Sequence, residues 1–170
     1  MKYPLEQLAI IKQKKLEEAE KNLQATKKAL EAELEKLALV EKERDQVKDH
    51  RMAKLTQLRE ELDRGTTSDK VQQMKRYLKV VDEKLKQKEV KVKQQLKLVD
   101  EAKAKVEAAR QDLLKKQQDV EKLSIHRKEW EKEMKMVVEH MEAVESDELG
   151  SALDARKKMK EKKEKEKEKS

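Results

Sequence analysis

Residues 63–69 read DRGTTSD and separate two long helical patterns. Gly65 is the only glycine among the first 149 residues, and it marks the one place where a tight turn is easily accommodated. Thr66, with Asp69 three residues later, forms a capping-box pattern that opens a following helix. The stretch therefore predicts a short turn between two helices, and a turn this short makes them antiparallel neighbours.

The second helical pattern repeats apolar residues every three or four positions from Val71 to Val144. A repeat that stays in phase over about ten heptads specifies the stripe of a left-handed coiled coil. Four positions of the stripe are not apolar: Lys88, Gln95, Lys116 and Arg127. The apolar members are Val71, Met74, Leu78, Val81, Leu85, Val92, Val99, Ala102, Val106, Ala109, Leu113, Val120, Leu123, Trp130, Met134, Val137, Met141 and Val144.

The first helical pattern is less regular, because its last apolar residues (Leu55, Leu58 and Leu62) shift to a new frame near the turn. We predict an all-α fold, a long two-helix antiparallel coiled-coil hairpin over residues 1–149 with a longer second helix. The predicted segments are a helix over 4–63, a turn over 64–68 and a helix over 69–149. Gly150 suits the left-handed position after a helix, so residues 150–170 are expected to form a charged Lys/Glu-rich tail that is flexible or a frayed helix.

The antiparallel arrangement predicts which residues face each other, because facing positions have numbers that add to about 132 if the turn centres on Thr66. In this register a large side chain faces a small one, as with Leu23 opposite Ala109 and Leu30 opposite Ala102. The same register places Arg44 opposite Lys88, which is the weakest layer unless both side chains reach outward. It also leaves the apolar stripe from about Trp130 onward without a facing helix. A partner surface, a fold-back of the N-terminus or pairing of the protein with itself would cover it.

Composition excludes several classes of protein. The chain has 44 Lys and Arg, 37 Asp and Glu, 35% hydrophobic residues and 2% aromatics, which is too few bulky side chains for a compact enzyme core. There is no Cys, and the three histidines have no metal-binding spacing, so we expect no enzyme activity, no metal and no cofactor. The longest apolar runs have four residues, too short for a signal peptide or a membrane span, which favours a cytoplasmic protein.

Three stretches carry a family resemblance: YPLEQLAIIK at residues 3–12, GTTSD at 65–69 and MKRYLKVV at 74–81. Together with the predicted hairpin, they resemble the central stalk protein of type III secretion ATPases, the YscO/FliJ family, and are most similar to its chlamydial members. The resemblance covers about residues 3–149. It does not extend to the tail from Arg156 onward.

The resemblance implies a stalk that inserts into a hexameric secretion ATPase and links it to an export gate protein, on the cytoplasmic face of the inner membrane. It also implies binding of export chaperones and the needle-length regulator. Neither a small-molecule substrate nor a specific nucleic acid is expected, and the membrane would be reached only through partners. We expect a monomer in isolation.

Two sets of residues are carried over by the resemblance. The first, which we name the Trp130 surface, would face the ATPase; it comprises Tyr3, Leu5, Leu8, Trp130, Met134, Val137 and Met141. The second, the Tyr77 surface, would face the export gate at the tip; it comprises Thr66, Thr67, Met74, Arg76 and Tyr77.

Two alternatives remain open at the level of sequence. One is a structural or effector coiled-coil protein that uses its stripe to self-associate. The other is a hairpin that binds nucleic acid or enters a polymerase channel, since the residues from Arg156 to Ser170 include nine Lys or Arg against four Glu. Interleaved Glu and Lys along the rest of the chain are more typical of a solvated helix surface than of a nucleic-acid-binding face.

Overall fold

The computed structural model describes residues 2–169, which fold into two helices without any β-strand. Helix α1 spans Glu6–Arg64 and helix α2 spans Ser68–Glu168. The predicted all-α class, with a longer second helix, is confirmed. Neither of these helices contains a stretch that is long and apolar enough to cross a membrane.

Gly65 ends α1 in a left-handed conformation, with a φ angle of 80°. Its N–H donates to the Leu62 carbonyl at 3.2 Å, and the Thr66 N–H donates to the Glu61 carbonyl at 3.3 Å. These two bonds form a Schellman motif, which satisfies carbonyls that the helix end would otherwise leave without a partner. The first turn of α2 differs from the expected capping box, because the Val71 N–H donates to the carbonyl of Thr67, and Thr67 rather than Thr66 is the N-cap.

Residues Lys15–Lys116 form one compact unit, which contains the turn and the two helix segments on either side of it. Every predicted stripe position of α2 within this unit is buried or half-buried, including the polar ones. Most buried side chains are small or β-branched, while Leu23 and Leu30 of α1 are half-buried. The buried apolar residues of this unit are Ala19, Leu58, Val81, Val92, Val99, Ala102, Val106 and Ala109.

Contacts between the two helix segments of this unit agree with the antiparallel register. The Lys88 Nζ lies 2.9 Å from a carboxylate oxygen of Glu43, and the Arg51 guanidinium bonds the carboxylate of Asp82. The numbers of these pairs add to 131 and 133, close to the predicted 132. One stripe residue of α1 differs from the prediction: Leu62 is half exposed, whereas Glu61, three positions after Leu58, is half-buried.

The like-charged layer of Arg44 and Lys88 is relieved by neighbouring carboxylates. Lys88 reaches Glu43, and the Arg44 guanidinium lies 3.1 Å from a carboxylate oxygen of Asp45. The hydrogen bond from Lys88 lowers the pKa of Glu43. Both cationic heads therefore turn away from the seam, while their aliphatic stems remain along it.

Gln95 is the buried polar residue of this unit. Its Nε2 donates to the Glu33 carbonyl at 3.0 Å and to the Glu33 carboxylate at 2.6 Å. The bond from Gln95, followed by one from Lys36, lowers the pKa of Glu33. A buried amide needs its partner at a fixed height along the facing helix, so this layer opposes a shift of register.

A second unit combines the described parts of Met1–Lys14 and Gln117–Ser170. Lys12 Nζ lies 2.8 Å from a carboxylate oxygen of Asp119, and the Arg127 guanidinium lies 3.1 Å from Glu6. Their numbers add to 131 and 133, so the helix segments of this unit also run antiparallel. Within it, Leu123 is half-buried and residues from 135 to 169 are exposed.

Helix α2 continues through Gly150 to Glu168, so the prediction that it ends at Leu149 is wrong. Gly150 is not among the glycines with positive φ, and it costs the helix only about 1 kcal/mol relative to Ala. The residues that follow are strong helix formers, such as Ala152, Leu153 and Ala155. A side-chain ion pair between Asp154 and Lys158, at 3.0 Å and four residues apart, also stabilises this segment.

Candidate functional site

Tyr3 anchors the chain ahead of α1 onto the side of α2. The Glu6 N–H donates to its carbonyl at 3.2 Å, which forms a turn at Pro4 and Leu5 and directs the tyrosine side chain to the seam. Tyr3 is only 6% exposed, and its hydroxyl lies 2.7 Å from Nδ1 of His126. A buried phenol needs such a polar partner for its hydroxyl, so the two residues position each other.

Trp130 and Arg127 complete the contact around Tyr3. The Trp130 ring packs edge-on against the Tyr3 ring, with centroids 5.5 Å apart and an interplanar angle of 62°. The Arg127 guanidinium lies 5.7 Å from the Tyr3 ring centroid. Arg127 also forms ion pairs with Glu131 and Glu6. The hydrogen bond to Glu131 has the largest effect on the pKa of Arg127, and together with the charge of Glu6 it raises that pKa.

This contact partly answers what covers the apolar stripe from Trp130 onward, a question that the sequence left open. The N-terminal segment does fold onto the stripe at Trp130, whereas the stripe positions from Val137 onward are exposed. Val137 is 41% exposed, Met141 58% and Val144 42%. An apolar face of three successive stripe positions therefore lies open to solvent on α2, and such a face is typical of an interaction site.

A shallow groove runs along α2 between Trp130 and Val138. It is lined by the apolar side chains of Trp130, Met134 and Val138 and by the charged side chains of Glu131, Lys135 and Glu139. Apolar side chains flanked by charges of both signs are typical of a surface that receives a protein rather than a small molecule.

The residues of the Trp130 surface differ in accessibility. Tyr3 is buried, while Leu5, Trp130 and Met134 are half-buried. Leu8, Val137 and Met141 are exposed. Tyr3 therefore holds the groove in place, whereas the exposed members can contact a partner directly. His126, Arg127 and Glu6 are contacts of Tyr3 that the sequence reading missed; the register places residues 126 to 130 opposite the N-terminus and could have identified them.

The Tyr77 surface is built around a ring that is 45% exposed. The Tyr77 hydroxyl lies 2.8 Å from Nε2 of His50, and the two rings meet edge-on at 5.9 Å. Lys54 Nζ lies 5.7 Å from the Tyr77 ring centroid, a cation–π distance. His50 and Lys54 belong to α1, and the sequence reading did not identify them because single-helix spacing gives no signal for them.

Met74 and Tyr77 share a groove next to the turn. Met74 is half-buried there, and Lys70 and Glu61 stand at its edges. Thr66 is half-buried, whereas Thr67 and Arg76 are exposed and do not line the groove. The tip residues predicted from the sequence are therefore brought together only in part. The full lining is Lys54, Gln57, Glu61, Lys70, Gln73, Met74 and Tyr77.

The side chains of residues 2–169 include no group of three or more His, Asp or Glu residues that could hold a metal ion. The polar clusters described above are pairs and triples of hydrogen-bonded side chains on helix surfaces.

These features define a class of protein: an antiparallel two-helix coiled coil with apolar side chains exposed on its second helix. The family of YscO-like proteins matches residues 1–162, and the chain therefore belongs to this family of type III secretion components. A solved structure described as a YscO homolog from Chlamydia trachomatis is 42% identical, with a TM-score of 0.91 over 94% of this chain and 98% of that chain. No curated protein sequence matches the chain.

Proposed function

We propose that this protein is the central stalk component of a type III secretion ATPase complex, inserting into the hexameric ATPase and linking it to the export gate. The observation that carries the proposal is the apolar face at Val137, Met141 and Val144, which lies open beyond the Tyr3–Trp130 contact. Membership of the YscO-like family supports the secretion context. In this role the protein has no catalytic activity of its own and acts on the ATPase by contact.

The chemistry of the Trp130 surface suits insertion among other subunits. Burying one exposed side chain such as Met141 would contribute about 1.5–3 kcal/mol, which the free protein forgoes. The charged edges at Glu131, Lys135 and Glu139 keep the free surface solvated and would fix orientation in the complex. Tyr3 and Trp130, a preformed aromatic pair, would serve as a rigid anchor that loses little conformational entropy on binding.

The Tyr77 surface would face the export gate at the cytoplasmic side of the inner membrane. Its exposed ring and half-buried Met74 supply an apolar contact, while Lys54 and Arg76 supply positive charge. Export chaperones and the needle-length regulator would be further partners of the same protein. The membrane would be reached through these partners.

The proposal is tested by substituting the open face and measuring binding to the secretion ATPase. Met134→Glu combined with Met141→Glu should abolish ATPase capture and stimulation, because the introduced carboxylates would be desolvated without partners in the complex. Met136→Glu is the matched control, since Met136 is 61% exposed on α2 but lies off the stripe. Circular dichroism should give the same helicity for all three proteins.

Trp130 gives a second measurement, because it is the only tryptophan of the chain and is half-buried. Its emission should shift to the blue when the ATPase is added to the wild-type protein. An unchanged emission spectrum, together with full ATPase binding by the double variant, would refute the proposed insertion.

A further inference from the structure

The continuity of α2 through Gly150 brings together two segments of opposite charge. Residues 129–148 contain eight Asp or Glu against two Lys, and residues 149–168 contain eight Lys or Arg against five Asp or Glu. Both segments lie on one uninterrupted helix, and all side chains from 135 to 169 are exposed. The open apolar face lies within the acidic segment, so a surface that covers it should be basic.

We infer that this basic surface is supplied by a second copy of the chain. Two copies of α2 would pair antiparallel about a two-fold axis at Glu148, and the acidic segment of each would lie along the basic segment of the other. The inference goes beyond the proposed function and does not rest on it. It differs from the expectation of a monomer in isolation.

The apolar residues support this pairing. The 3–4 spacing of the stripe continues beyond Glu148 to Ala152, Ala155 and Met159, on the same face as Val137 and Met141. A two-fold axis at Glu148 pairs residues whose numbers add to 296. In each layer a larger side chain then faces a smaller one or fills the space beside it, as close packing requires. The resulting layers are Val137 with Met159, Met141 with Ala155, and Val144 with Ala152.

The charges beside the stripe specify the direction of pairing. Glu131 and Glu133 flank the apolar layers at one end, and the register places them alongside Lys163 and Lys165 of the second copy. In a parallel pair each of these residues would instead face itself, and like charges would repel. The antiparallel arrangement therefore has the favourable electrostatics, and symmetry provides the same set of ion pairs twice.

One layer opposes the association. Glu148 would face Glu148 of the second copy on the two-fold axis, and two carboxylates there repel each other. The association should accordingly be reversible and weak. It would also occupy Met134, Val137 and Met141, which the proposed ATPase contact requires, so a chain could be in the dimer or in the ATPase complex but not in both.

The test measures the mass of the full chain by sedimentation and light scattering over a series of concentrations. The wild type should change from monomer to dimer as its concentration rises. Two charge-reversed double variants test the ion pairs: the first is Glu131→Lys with Glu133→Lys, and the second is Lys163→Glu with Lys165→Glu. Each should associate at least about tenfold more weakly than the wild type, with helicity unchanged.

The decisive sample is an equimolar mixture of the two charge-reversed variants. In a mixed dimer, the new lysines of one chain face the new glutamates of the other at one end, and the original Glu and Lys residues face each other at the other end, so dimerisation should return. If the basic segment instead folded back on its own chain, mixing would restore nothing. A wild type that stays monomeric at all concentrations, or a mixture that stays monomeric, would overturn the inference.

Glu148→Leu tests the position of the two-fold axis. This substitution replaces the repelling carboxylates with an apolar layer, and it should tighten the dimer roughly tenfold. A Glu148→Leu protein that associates no more tightly than the wild type would exclude an axis at this residue.

Discussion

Tyr3 connects the N-terminal segment to α2 through interactions of different kinds. Its hydroxyl meets His126, its ring meets Trp130, and the Arg127 guanidinium lies at cation–π distance. The ring contacts depend on shape and burial, whereas the hydroxyl contact depends on one atom. Substitutions that remove either the atom or the whole ring can therefore separate the two contributions.

We expect Tyr3→Ala to release the N-terminal segment and Tyr3→Phe to retain it. Loss of the ring should expose Trp130 and shift its emission to the red, because the ring packs directly against it. Loss of the hydroxyl alone removes one hydrogen bond, which contributes about 0.5–1.5 kcal/mol, and should leave the emission almost unchanged. Emission spectra of the free proteins measure the difference, and an identical spectrum for Tyr3→Ala would contradict the contact.

At the scale of the helix, Gly65 and Gly150 occupy different conformations. Gly65 has a φ angle of 80° and ends α1, whereas Gly150 lies inside α2 without a positive φ. No atom would lie within 4 Å of a Cβ added at either position. Backbone conformation, and not space, therefore determines the effect of an alanine at each site.

Gly150→Ala should stabilise the surrounding part of α2 by about 1 kcal/mol, because alanine is the better helix former. Gly65→Ala is the matched control and should destabilise the turn by about 1–2 kcal/mol, because a side chain disfavours the left-handed conformation. Hydrogen exchange of the amides near each site measures both effects. If amide hydrogens around residue 150 exchanged faster in Gly150→Ala than in the wild type, the helix would end at this residue.

Gly150 also indicates how far sequence reasoning extends along the second helix. The spacing of apolar residues predicted which positions from Val71 to Leu123 face inward, because a seam with a partner helix requires that periodicity. The described side chains from 135 to 169 are exposed, so no seam marks this part of the helix, and its end had to be judged from one glycine. The helix continues because the helix propensity of the following Ala, Lys and Glu residues outweighs the cost of the single glycine. The sequence alone does not show which of these two effects is larger.

At the scale of the whole molecule, the seam was predictable and the choice of ion-pair partners was not. The register followed from the position of the turn, and it placed Glu43 near Lys88 and Lys12 near Asp119. Which of several neighbouring Lys and Glu residues pair depends on rotamers of long side chains, and each such exposed pair contributes about 0–1 kcal/mol. The fold-back of the N-terminus onto Trp130 was one of the readings that the sequence left open, because periodicity says nothing about the residues ahead of α1.

The register of the unit Lys15–Lys116 yields the last prediction. Leu23 is half-buried and Ala109 is buried at facing seam positions, so Leu23→Cys with Ala109→Cys should oxidise readily to a disulfide within one chain. Leu30→Cys with Ala109→Cys is the control, because this pair is displaced by one heptad, about 10 Å along the helix axis. Non-reducing gels and the mass of the product at low protein concentration measure the outcome. Equal oxidation of both pairs, or disulfides formed only between chains, would show that the helices do not pack in the register of the Lys88–Glu43 and Arg51–Asp82 contacts.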